Sequence, residues 1–220
     1  EGIVGRPVAG VVGIGASAGG LEAIQQLFDY IPDNTGMSFI IVQHLSPNFK
    51  SLMPELLAKH TKMEIFTSEN DQEIKPNCIY LNKSNNALVI KDRRLMLKDK
   101  DQSRHLNLPI DMFFHSLAVE FQEMAIAIIL SGTGSDGSRG IRSIKETGGT
   151  TMIQDPESAQ FNGMPNTAIA TNLAEYILPP EKIARELIKL SSKSIVIPEL
   201  VSKSLDSNET IFQRILEEIF

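Results

Sequence analysis

Short runs that are apolar throughout alternate along this chain with longer stretches whose apolar residues recur every three or four positions. Residues 11–15 form the first run and end in glycines. Followed by a helical pattern, the run predicts a strand buried on both faces. Leu21, Ile24, Leu27, Phe28 and Ile31 carry the helical spacing, and Pro32 with Asp33 stop it. The pattern next predicts a strand at 39–42, a helix at 49–60 with Leu52, Leu56 and Leu57 on its apolar side, and strands at 63–66 and 79–81. Residues 87–90 and 95–97 flank the polar turn Lys91-Asp92-Arg93-Arg94, which predicts an antiparallel hairpin on the sheet edge. Residues 98–104 read as a charged, solvated loop. A helix at 109–121 opens at Pro109, 125–130 is the most apolar strand, and a helix at 138–147 closes at Gly148 in a left-handed cap. A strand at 150–154, a helix at 164–171, a strand at 176–178 and a helix at 181–190 complete the set. Strands alternating with helices imply βαβ units. The expected fold class is α/β: a doubly wound, mostly parallel sheet with helices on both faces and an antiparallel edge hairpin.

The domain outlined in this way spans 8–192, and the polar, irregular residues 193–207 read as a linker. Within 208–220, Ile211, Phe212, Ile215, Leu216, Ile219 and Phe220 form one apolar stripe at helical spacing, with Asn208 or Thr210 as a cap. Two origins fit the stripe: the first helix of a second domain, or a terminal helix docked on this one.

Composition narrows the function classes. Hydrophobic residues make up 42% and charged residues 22% of the 220 positions, ordinary for a globular protein. No apolar run approaches the ~20 residues of a membrane span, so no membrane insertion is expected. A net charge of -6 offers no basic face, so no nucleic-acid partner is expected. Cys78 is the only cysteine, which rules out an internal disulfide and suits a reducing, cytoplasmic setting.

The loop Gly13-Ile14-Gly15-Ala16-Ser17-Ala18-Gly19-Gly20 joins a strand to a helix and admits two chemistries. A dinucleotide site wants G-x-G-x-x-G and an acidic residue ending the second strand. Here Gly19 falls one position late and the second strand ends in Gln43-His44. Gly15-Ala16-Ser17-Ala18-Gly19 fits G-x-S-x-G instead, a nucleophile elbow whose serine sits at a helix N-terminus. The bland alternative is a serine that only caps the helix. A serine nucleophile needs a base, and His44 ends a neighbouring strand on the same sheet edge. It also needs a carboxylate to orient the imidazole. Asp136, in Ser131-Gly132-Thr133-Gly134-Ser135-Asp136-Gly137, follows the most buried strand, although Asp-Gly is also a common turn pair. The order Ser, His, Asp differs from that of the α/β-hydrolases, so the chemistry would be convergent. His60 is expected to meet its helix's C-terminal dipole, His105 to lie in the charged loop, and His115 to be a packed or surface residue in mid-helix. No His/Cys/Asp/Glu cluster has metal-ligand spacing, so neither metal nor cofactor is expected.

The segments GIGASAGG, VQHLSP, ILSGTGSDG and QDPESAQFNGMP, in that order, resemble the catalytic domain of CheB-type chemotaxis protein-glutamate methylesterases over about residues 11–190. The resemblance implies a serine hydrolase with Ser17 as nucleophile, His44 as base and Asp136 as orienting carboxylate. Ala18, Gly19, Gln43, Thr133 and Gly134 would line the site and its oxyanion hole. The implied substrates are glutamate methyl esters of methyl-accepting chemoreceptors, with glutamine deamidation as the same acyl transfer with ammonia leaving. Many members carry Thr where this chain has Ala18 and Met where it has Thr133; both changes keep a backbone N–H. The family's receiver domain has no counterpart in the roughly ten residues before the first strand. The wording GASAGGLEAIQQLF and the apolar stripe are similar to fusions with a CheR-like methyltransferase, which makes a fused methyltransferase domain an expected partner. The competing reading is a non-catalytic docking module of a larger sensor, favoured only by the changes at Ala18 and Thr133.

Overall fold

The computed structural model of the chain describes residues 8–44, 52–84, 86–99 and 108–192. The apolar run after Ala9 becomes β1 (Gly10–Ala16), buried along its whole length. Next come α1 (Gly20–Phe28), β2 (Met37–Gln43), α2 (Met53–Leu57), β3 (Glu64–Thr67), β4 (Gln72–Glu73) and β5 (Cys78–Leu81). The hairpin β6 (Asn86–Lys91) and β7 (Arg94–Asp99) precedes α3 (Pro109–Phe121), β8 (Ala125–Ile129) and α4 (Gly140–Glu146). Then follow β9 (Thr150–Gln154), α5 (Gly163–Ile169), β10 (Tyr176–Leu178) and a helix over 180–192, α6.

Seven strands form one sheet in the order β10-β9-β8-β1-β2-β5-β3, and every neighbouring pair is parallel. From β1 the chain winds outward to β2 on one side, and it later returns to place β8 on the other. That reversal opens a crevice at the C-terminal ends of β1, β2 and β8, where ligands bind in sheets of this type.

The pleat sends alternate residues of β1 to opposite layers. Val12, Ile14 and Ala16 meet Ile24, Leu27 and Phe28 of α1 together with Ile183 and Leu187 of α6. Val11 faces α3, α4 and α5, which contribute Phe113, Phe114, Leu117, Ile141, Ile144 and Met164. On that side Gly13 and Gly15 leave no side chain at all. A Cβ at Gly13 would stand 2.8 Å from Leu117 Cδ2, and one at Gly15 only 2.5 Å from Ile110 Cγ2. The helix therefore lies against the strand backbone more closely than any larger residue permits.

The structure changes the expected pattern at several places. The hairpin is present, with Asp92 and Arg93 both left-handed at φ 52° and 58°, as a two-residue type I′ turn requires. It does not extend the edge of the parallel sheet. It joins β4 in a separate antiparallel sheet of order β4-β7-β6, and its Leu88, Ile90 and Leu95 pack on the α3 side of the core. Among the described residues, the helix expected at 49–60 is α helix over Met53–Leu57; Met53 and Leu57 are its buried positions, and Leu52 is 62% exposed. The helix expected from 138 begins at Gly140. It closes as anticipated: Gly148 has φ 83° and donates to Lys145 O, and Gly149 donates to Ile144 O, a Schellman pairing. Of the charged loop expected at 98–104, Lys98 and Asp99 belong to β7; its remainder, His105, residues 45–51, the linker at 193–207 and the stripe at 208–220 lie outside the described residues.

Candidate active site

Ser17 leaves β1 at the switch point. Its N–H donates to Ser131 O at 3.0 Å across to the end of β8, and Gly20 N–H donates back to Ser17 O at 2.9 Å. Gly19, left-handed at φ 69°, is the residue that caps α1, and the Ser17 hydroxyl makes no capping bond. A Cβ on Gly19 would fall 2.6 Å from Gln160 Oε1, and one on Gly132 would fall 3.0 Å from Ser17 Cβ. Glycine at both positions lets two loops close around the serine. Gly13 and Gly15 are filled against by α3 and cradle no phosphate, so the loop lacks the open form of a dinucleotide site.

His44 follows β2. Asn82, 7% exposed, pins the strand end just before it, accepting Gln43 N–H at 2.9 Å and donating to Gln43 O at 2.9 Å. From there the imidazole spans the crevice. Its Nδ1 lies 3.2 Å from Ser17 Oγ and its Nε2 lies 2.8 Å from Asp136 Oδ2. With a carboxylate on Nε2, the neutral ring carries its proton there, and Nδ1 presents a lone pair to the serine hydroxyl. The ring nitrogens thus stand in the reverse of the serine-protease arrangement, with the same logic of orienter, base and nucleophile.

Asp136 is 3% exposed, so its charge must be met locally. The first turn of α3 meets it: Ile110 N–H donates to Oδ2 at 3.0 Å and Asp111 N–H to Oδ1 at 2.9 Å. Each such charge-assisted bond contributes about 1.5–3 kcal/mol, and the positive end of a 13-residue helix adds to it. The glycines under α3 thus bear on the site, because they set the depth at which this helix N-terminus rests.

The residues expected to line the site lie at the C-terminal ends of β1, β2 and β8 or in the loops that follow them. Ala18 and Thr133 hold backbone N–H groups with no acceptor among the described residues, and Thr133 and Gly134 are exposed at the rim. Ala18 O accepts the Ser131 hydroxyl at 2.9 Å, and Gly134 O accepts the Thr167 hydroxyl at 3.3 Å. Gln43 orients the backbone ahead of His44 and turns its amide toward Gly20. Among the described residues no group of three His, Cys, Asp or Glu could hold a metal ion. His60 lies just past the end of α2, its N–H donating to Leu57 O at 2.9 Å, and its Nδ1 pairs with Asp29 at 2.7 Å; His115 bonds Ser143 Oγ at 3.0 Å, away from the crevice.

Sequence reasoning passed over the residues that bind these loops together. Ser131, fully buried, accepts Phe161 N–H at 3.0 Å on its hydroxyl, and its own N–H donates to Gln154 Oε1 at 2.8 Å. Gln154 in turn donates to Ser158 O at 3.1 Å. The segment QDPESAQFNGMP therefore acts as a strap beside the nucleophile, anchored through Phe161 O to Gly132 N–H. A cavity of about 300 Å³ opens between this strap and the first turn of α1, reaching Gly19.

Residues 12–187 match the family model described as CheB methylesterase. This chain belongs to the CheB methylesterase family. A putative protein-glutamate methylesterase/protein-glutamine glutaminase of Leptospira interrogans is 32% identical over 183 residues, covering 83% of this chain and 95% of that one. An uncharacterized 104.1 kDa protein of Rhodobacter capsulatus is 44% identical over 131 residues, 60% of this chain but 14% of that one. The chain spans about half the length of other relatives, such as the protein-glutamate methylesterase/protein-glutamine glutaminase 1 of Syntrophus aciditrophicus, of which 52% is covered. In three dimensions it is similar to the crystal structure of the Thermotoga maritima CheB methylesterase catalytic domain. The TM-score is 0.76 and the identity 28%, over 82% of this chain and 98% of that one. The CheB-type fold is thus the one observed here, a parallel seven-stranded sheet with a small antiparallel sheet.

Proposed function

We propose that this CheB-family domain hydrolyses glutamate methyl esters on the cytoplasmic part of chemoreceptors, with glutamine deamidation as a second use of the same site. The observation that carries it is the relay from Ser17 through His44 to Asp136, at 3.2 and 2.8 Å, at the crevice. Ser17 Oγ attacks the ester carbonyl carbon while His44 Nδ1 takes the hydroxyl proton. The Ala18 and Thr133 N–H groups, which have no acceptor among the described residues, receive the oxyanion. Collapse breaks the C–OCH₃ bond, and His44 returns the proton to the departing oxygen, giving methanol. Water then attacks the acyl-serine with His44 again as base, which restores Ser17 and leaves a glutamate carboxylate. With glutamine, ammonia departs in place of methanol. The roles at Ala18 and Thr133 use backbone groups, so the side chains found there leave the chemistry intact.

Among the described residues no helix is long and apolar enough to cross a membrane, which suits an enzyme that meets its receptor in the cytoplasm. The same proposal divides the chain into a catalytic domain at 8–192, a linker at 193–207 and the start of a second, methyltransferase-like domain at 208–220, on the strength of the apolar stripe. The test is methanol release from a methylated receptor cytoplasmic fragment. Wild type is expected to release methanol, and Ser17→Ala to lose about 10⁶-fold in kcat, down to background. Equal release by both proteins would remove Ser17 from the reaction, and no release by wild type would remove the activity.

A further inference from the structure

Behind the triad carboxylate stands a second carboxyl group whose geometry the reaction as derived does not use. Asp111 gives its N–H to Asp136 Oδ1 at 2.9 Å. Its own side chain turns away across the helix pair. There Oδ1 accepts Arg139 N–H at 2.9 Å and Gly140 N–H at 2.7 Å, the groups that open α4. Asp136 and Arg139–Gly140 are the two ends of one short turn, and Asp111 grips both. The packing beneath is equally close: a Cβ on Gly140 would lie 2.6 Å from Phe114 Cβ and 3.1 Å from the Asp111 Cα.

The other oxygen, Oδ2, is buried without a hydrogen bond of full geometry among the described residues, although Gly137 N–H lies near enough to favour the charged carboxylate. Burial pushes this carboxyl above the usual carboxylate range; the Gly140 N–H pulls against that, and the nearby charge of Asp136 adds to it. An aspartate here is therefore held at a cost in free energy.

We propose that Asp111 is a positioning residue for the esterase reaction: by tying Arg139 and Gly140 to the N-terminus of α3, it fixes the turn that aims Asp136 at His44. The inference rests on the reading of Ser17, His44 and Asp136 as the working triad. It works through geometry, because one acceptor oxygen carries both bonds. Asparagine keeps that oxygen and alanine removes it.

The experiment compares wild type, Asp111→Asn and Asp111→Ala in the full chain, with two readouts. The first needs no substrate: the low-field proton resonance of His44 Nε2–H, assigned by its loss in Asp136→Ala. The second is kcat and KM for methanol release. In Asp111→Ala the resonance is expected to broaden or vanish through faster solvent exchange, and kcat to fall about tenfold to a hundredfold with KM within about twofold. Asp111→Asn is expected to keep the resonance and to stay within about threefold of wild type in kcat. An unchanged resonance in Asp111→Ala overturns the proposal, as does an Asp111→Asn protein as impaired as Asp111→Ala. Should wild type release no methanol, the proposed activity fails while the resonance still decides the role of Asp111.

Discussion

The two faces of the parallel sheet are covered by helices in different ways. On one face α1, α2 and α6 bury aliphatic and aromatic side chains, such as Leu27, Phe28 and Leu57, against Val12, Ile14 and Phe39. The Phe28 and Phe39 rings meet edge to face at 5.3 Å. On the other face α3 lies on the bare backbone of Gly13 and Gly15, and the same layer buries the Cys78 thiol and the Tyr80 phenol. Interdigitated side chains give adhesion that is broadly indifferent to small shifts. A helix seated on glycine has one depth, and at that depth Ile110 and Asp111 reach Asp136. One face thus serves mainly stability, and the other sets the site.

Leu27→Ala should show the larger loss of stability. Leu27 is fully buried on the α1 face, and truncation leaves a cavity costing about 2–5 kcal/mol in a urea titration. Its kcat for methanol release, normalised to folded protein, should match wild type. Gly15→Ala should reverse that profile. The new Cβ would sit 2.5 Å from Ile110 Cγ2, an overpacking cost of about 1–3 kcal/mol. Lifting α3 withdraws the N–H groups from Asp136, and kcat should fall about tenfold or more. Ile110→Ala in the same chain should recover much of both losses, a coupling measurable as a double-mutant cycle. A kcat reduced as far by Leu27→Ala as by Gly15→Ala would mean that the faces do not divide the work.

Much of this division was readable in the sequence, and the unreadable part has a consistent cause. The limits of α3, β9 and β10 followed from Pro109, the Gly148 cap and short β-favouring segments bounded by polar residues, all of them local signals. Ser17, His44 and Asp136 could be placed together because each follows a parallel strand, and such strands end on one edge. The small second sheet was not readable, since β4 is two polar residues, Gln72 and Glu73, with no hydrophobic pattern. Leu52 misled because helical spacing marks a face without saying whether anything covers it. Asn82, Ser131, Gln154 and Asp111 were missed for one reason. Each is an ordinary polar residue whose role lies in hydrogen bonds to backbone far along the chain, 23 to 113 residues away. Gly13 and Gly15 invited a nucleotide reading because sequence shows a missing side chain but not the helix that fills its place.

Alkaline pH offers a gentler way to separate the faces, because the α3 face carries the buried phenol. Tyr80 is almost wholly buried; its hydroxyl donates to Glu73 O at 3.0 Å and accepts Lys75 N–H at 2.9 Å. Burial above all pushes this phenol up to about 12, from an ordinary value of 10.0. In that window the unfolded chain has lost the phenol proton while the folded protein keeps it. The folded state then binds more protons, so stability must fall as pH rises from 10 toward 12. Tyr80→Phe removes the phenol and should make that part of the stability curve shallower, while the neighbouring Cys78 thiol, which burial also pushes up, keeps the rest of the slope. At neutral pH it should cost about 1–2 kcal/mol, because Lys75 N–H loses its acceptor. Leu27→Ala lowers the whole curve without changing its alkaline slope, since no titrating group on the α1 face is involved. Urea midpoints for these proteins between pH 9 and pH 12 are enough to check this. An alkaline slope as steep as wild type in Tyr80→Phe, and again in Tyr80→Phe combined with Cys78→Ala, would place the titrating group elsewhere and take from the α3 face its claim to the protein's alkaline sensitivity.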